Sequence, residues 1–101
     1  MPIKLEERPP ATAVLSGAGG TDESSIYGVN HIDTLMLQLD GTGDIDIKTS
    51  MLEDGTFTTV DTITNAEPVR SIDIRSNCVK FVVSSGSDLT LYAQGARINK
   101  F

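Results

Sequence analysis

Asp40-Gly41-Thr42-Gly43-Asp44-Ile45-Asp46 gathers three carboxylates within seven residues and is the first place in this chain to look for chemistry. A hard cation such as Ca²⁺ wants about six to eight oxygen ligands, and clustered aspartates are a common source. The spacing is not that of a D-x-D-x-D-G loop, and no glutamate follows at the closing position. Asp44 and Asp46 stand two apart in an alternating segment, which points both to the same wet face of a strand. The stretch reads as a turn followed by a solvated strand face, and no metal is expected. The order Asp-Gly-Thr-Gly also departs from the Asp-Thr-Gly of aspartic proteases, whose chemistry needs two carboxylates sharing a proton.

Other single candidates give no stronger signal. His31 is the sole histidine, and zinc needs several strong ligands together. Serines and aspartates abound, but no Gly-x-Ser-x-Gly elbow accompanies His31; Ser85-Gly86-Ser87 reads as a turn. His31 is expected at a turn or strand edge. Cys78 opens an apolar run and has the parity of Lys80 and Val82, which suggests an outer face or an intersubunit contact. A reactive thiol would want an exposed, electropositive setting. Ser16-Gly17-Ala18-Gly19-Gly20 lacks the Gly-Lys-Ser/Thr ending of a P-loop and reads as a flexible loop. No catalytic residue, cofactor or metal ligand is expected.

The elements that would position any site are strands. Turn-forming residues recur at Gly17–Gly20, Asn30, Gly41–Gly43, Asp54-Gly55, Asn65–Pro68, Ser76-Asn77, Ser85–Ser87 and Gly95. The steps are close to the ~8–12 residues typical of sandwiches and barrels. Asp44–Met51 alternates Ile45, Ile47, Thr49 and Met51 with Asp44, Asp46, Lys48 and Ser50, giving one dry face and one wet one. Leu35, Leu37 and Leu39 share a face, as do Val79, Phe81 and Val83, and Leu89, Leu91 and Ala93. Ile72 and Ile74, Val14 and Leu15, Ile26 and Val29, and the run Phe57–Ile63 complete the set. Asp54-Gly55 supplies the positive φ for a hairpin joining 44–52 to 57–63. A second hairpin is expected from 78–84 to 88–93 through Ser85-Gly86-Ser87. Phe57 and Phe81 are expected in the core.

The fold class is therefore all-β: a single antiparallel β-sandwich of about eight short strands, jelly-roll-like, over residues 11–101. Residues 1–10 end in Arg8-Pro9-Pro10, whose prolines favour an extended chain, and are read as an arm outside the core.

Eight Lys and Arg against 14 Asp and Glu leave a net charge of −6. That argues against a nucleic-acid backbone or an anionic membrane as partner, both of which need clustered positive charge. No apolar run approaches the ~18–20 residues of a membrane span. The first residues carry no apolar leader, so synthesis and retention in a cytoplasm are expected.

Between Thr34 and Gly95 the chain resembles small β-sandwich virion structural proteins of tailed bacteriophages. The resemblance rests on Asp54-Gly55-Thr56-Phe57 after the strand Gly43–Ser50, on Val79-Lys80-Phe81-Val82-Val83 with its Ser-Gly turn, and on Leu91-Tyr92-Ala93. It covers about 60 of 101 residues and carries no site motif. It implies a capsid decoration (cement) protein that binds and stabilises the head lattice, with the major capsid protein or another virion protein as partner and a homo-oligomer, trimer or dimer, as the working form. A tail or baseplate accessory is the neighbouring possibility, made like the first in the host bacterial cytoplasm. From the residues themselves, Pro9, Pro10, Tyr27 and Phe101 are the expected partner contacts. The alternative from a different class is a carbohydrate or cell-surface binding module, which Tyr27 and Tyr92 would have to serve by lining one concave surface.

Overall fold

A computed structural model describes residues 3–5 and 11–96. Nine strands follow one another among them: β1 (Ile3–Lys4), β2 (Thr12–Ala18), β3 (Tyr27–Gly28), β4 (Thr34–Asp40), β5 (Gly43–Ser50), β6 (Thr58–Ile63), β7 (Val69–Asp73), β8 (Cys78–Gly86) and β9 (Leu89–Ala96). They form two sheets, ordered β1-β3-β8-β5-β6 and β2-β9-β4-β7. Apart from the short parallel pair β1–β3, every pairing is antiparallel. From β2 onward the chain changes sheet at each connection except the β5–β6 hairpin. That interleaving of two four-stranded sets is a jelly roll, with β1 added at one edge.

The alternation seen in the sequence sets the core. Leu35, Leu37 and Leu39 of β4, Ile45 and Ile47 of β5, Val79, Phe81 and Val83 of β8, and Leu89, Leu91 and Ala93 of β9 are all buried. Phe81 is the largest of the fully buried side chains. The expected hairpin between β5 and β6 forms, with Gly55 N–H donating to the Leu52 carbonyl at 3.1 Å, but neither Asp54 nor Gly55 takes the expected positive φ.

The second expected hairpin does not form. β8 pairs with β3 and β5 and β9 with β2 and β4, so residues 85–88 carry the chain from one sheet to the other. Positive φ at Gly86 (96°) and Asp88 (60°) turns the backbone there. The β4–β5 crossing lies against this corner: Gly43 and Gly86 are register partners, and a Cβ on Gly86 would come within 2.8 Å of the Gly43 Cα. Backbone meets backbone, which only glycine permits.

Two other expectations need correction. The arm of residues 1–10 is not wholly outside the sandwich. Ile3–Lys4 pairs with Tyr27–Gly28, and Leu5 is 1% exposed in the core cluster. An apolar side chain near a terminus gains by burial wherever a sheet edge offers it pairing. The glycine-rich stretch is also partly strand. Gly17 and Ala18 end β2, where the register shifts between Leu15 and Ala18 and Gly17 takes a φ of 60°. This is a bulge, which bends an edge strand and deters unwanted pairing.

Candidate functional site

Most residues singled out from the sequence have a place in this frame. The acidic turn is held by a side chain from just beyond the end of the neighbouring strand β6. Gly43 N–H donates to Asn65 Oδ1 at 2.7 Å, and the Asn65 amide donates to the Gly41 carbonyl. Asp46 points outward and accepts a 2.8 Å hydrogen bond from Thr62. Among the described residues no group of three or more His, Cys, Asp or Glu could hold a metal ion. His31 follows β3, and its Nε2–H donates to the Leu5 carbonyl at 2.7 Å, which ties down the end of β1.

Cys78 is buried rather than on an outer face or a contact surface. Burial pushes its thiol pKa up, and the Glu53 carboxylate adds to the shift. Its parity is that of an outer position, but the β5–β6 loop returns alongside, with Asn77 Nδ2 donating to the Met51 carbonyl at 3.0 Å. The resulting thiol is protonated and sheltered, the opposite of a nucleophile's setting.

Tyr27, expected as a partner contact, is 7% exposed and packs in the core beside Phe81, ring centroids 6.4 Å apart. Its hydroxyl pKa is raised by burial. Tyr92 is exposed on the outer face of the other sheet, so the two tyrosines line no common surface. Phe57, expected in the core, is half-buried, with the Lys80 ammonium 5.0 Å above its ring. Pro9, Pro10 and Phe101 lie outside the described residues.

Three surface regions remain. The first is the side of the sandwich where β6 and β7 end their sheets. Asp61 and Arg70 both point inward there, opposite Ile47 and Leu37 in register. Arg70 meets Asp61 at 2.9 and 3.0 Å and donates to the Thr62 carbonyl at 3.2 Å, stitching the sheets together. An open cleft of about 330 Å³ runs beside this pair, between Val60 and Asp73. Inward charges on edge strands discourage the addition of a foreign strand. No signal in the sequence marks Asp61 and Arg70 as partners.

The second region is the β5–β6 hairpin itself. Met51, Leu52 and Val60 are 60%, 64% and 53% exposed. Val60 is the extra residue of a bulge, since Ile47 pairs with Asp61 and Lys48 with Thr59.

The third region is the outer face of β2-β9-β4-β7. One row across it reads Ala13, Tyr92, Gln38, Val69; the next reads Gln94, Met36, Ser71. Both rows are free of charge in a chain of net charge −6.

No family model matches the chain, and no curated protein or solved structure is significantly similar to it.

Proposed function

We propose that the protein is a non-enzymatic structural protein of a virion, a decoration protein that binds a phage capsid shell as a homo-oligomer. The reading is supported first by the β5–β6 hairpin. Met51, Leu52 and Val60 are three large apolar side chains on one hairpin, each more than half exposed. Keeping apolar surface in water costs roughly 25 cal/mol per Å², so exposed apolar side chains of this size on one hairpin are a feature of docking surfaces. The cross-sheet corners and the Arg70–Asp61 pair hold the hairpin on a rigid frame, which limits the entropy lost on binding. A shell offers the same site many times, so an oligomer gains by multivalency even where one contact is weak. The resemblance of residues 34–95 to phage virion proteins supplies the class of partner, and the jelly roll is a frequent architecture of virion proteins.

The test is co-sedimentation with empty heads prepared from phage lacking this gene, alongside solution mass by light scattering. A dimer or trimer that sediments with heads is expected, and Met51→Ser with Leu52→Ser should abolish sedimentation without altering the circular dichroism spectrum. Binding to tails instead of heads would reassign the virion role. A monomer that binds neither would remove the reading.

A further inference from the structure

We infer that the outer face of the β2-β9-β4-β7 sheet carries a second, separate site, for a neutral saccharide, with Tyr92 as the stacking platform and Gln38 and Gln94 as the hydrogen-bonding pair. Gln38 lies directly opposite Tyr92 on β4, and Gln94 is the next residue on the same face of β9. Met36 is opposite Gln94 and Val69 is opposite Gln38. Together they line a shallow depression of about 160 Å³. Enclosed drug-sized sites run to roughly 300–1,000 Å³, so this one suits a single ring seated on a surface.

The chemistry of the lining selects the ligand. Among the described residues neither glutamine amide nor the Tyr92 hydroxyl makes a hydrogen bond, so all three polar groups are open to a ligand. Each amide offers both donors and an acceptor, which matches the hydroxyl groups of a sugar. An aromatic face carries negative potential and attracts the C–H-bearing face of a pyranose ring. Among the described residues the lining holds no charged group, so neither an anion nor a cation gains from them there. Asp40 and Asp73 stand one row beyond, at opposite ends of the uncharged rows.

A second copy of the chain is a poor occupant. With strands ~4.8 Å apart and same-face residues ~7 Å apart along a strand, the uncharged rows cover on the order of 250 Å². A standard interface takes about 800 Å² from each partner. Extending the contact would bring Asp40 and Asp73 of two acidic chains together.

The experiment is a titration of the ¹⁵N-labelled full chain with the methyl glycosides of glucose, galactose, mannose and N-acetylglucosamine, followed by the glutamine side-chain amide signals. Saturable shifts of Gln38 and Gln94, with weaker ones at Met36, are expected for at least one glycoside. Tyr92→Ala should weaken that binding about tenfold or more while Tyr92→Phe retains most of it. Tyr92 is at the surface, so the fold should survive; Gln94→Ala gives the same test without touching the ring. No saturable shift with any of the four overturns the inference, as does a Tyr92→Ala variant that loses head binding or changes its solution mass. The hairpin variants of the preceding section should bind sugar normally, which separates the two proposals.

Discussion

The outer faces of the two sheets are built on the same alternation and end in opposite states. On the five-stranded sheet several side chains engage one another. Lys80 reaches Glu23 at 3.0 Å and lies over Phe57, Asp46 takes the Thr62 hydroxyl, and Ser84 donates to the Asp44 carbonyl. The cross-strand pair Lys48–Lys80 would be repulsive alone, and Glu23 offsets it. The outer edge of β3 is covered as well, by β1. On the four-stranded sheet Gln38, Gln94 and Tyr92 are left without partners among the described residues, and Met36 and Val69 are exposed. One face carries an ion pair, a cation–π contact and a side-chain hydrogen bond of its own; the uncharged rows of the other carry none among the described residues.

The largest effect is expected at the covered edge. Leu5→Ala should lower stability by about 2–5 kcal/mol, the usual cost of emptying a buried leucine site. Urea denaturation measures it, and a loss under about 0.5 kcal/mol would mean that β1 is an appendage and the five-stranded sheet's edge is open.

A smaller effect comes from pH. Tyr27 and Cys78 both have pKa values raised in the fold, from 10.0 and 9.0 respectively. The unfolded chain therefore gives up these protons first as pH rises, so it binds fewer protons than the native state. Their contribution is complete below the unfolded values and is lost as pH climbs through the folded ones. Urea midpoints should fall from about pH 9 upward, and Tyr27→Phe with Cys78→Ala should flatten that fall. Cys78 should also react slowly with a thiol reagent until urea unfolds the chain.

The smallest effect sharpens the contrast directly. Lys80→Met should cost no more than about 1 kcal/mol, since the Glu23 partner is exposed and screened. Gln38→Ala should change stability by less than about 0.5 kcal/mol. A larger loss from Gln38 than from Lys80 would show that the uncharged face serves the fold after all.

Much of this architecture was legible in the residues. Period two identifies the buried side of β4, β5, β8 and β9 because successive side chains point to opposite faces, and burial then needs only one face to be apolar. Asp54-Gly55 announces a turn by residue type, although neither residue takes the positive φ expected of it. The glutamines beside Tyr92 were visible as types but not as neighbours, since Gln38 and Tyr92 are far apart in sequence. Asp61 and Arg70 carried no signal because the pair exists only where two sheet edges meet.

Local sequence by itself determined which segments extend, which of their faces are dry and where the chain turns, because those depend on side-chain type and on backbone conformations a few residues long. Only the tertiary structure decided which strands pair. Ser85–Ser87 could close a hairpin or cross the core, and the choice went to the crossing because β8 is held between β3 and β5 while β9 is held between β2 and β4. The same global packing drew Leu5, Tyr27 and Cys78 inside. Burial of a side chain is a property of what arrives on top of it, and at these three positions the covering residues come from distant parts of the chain.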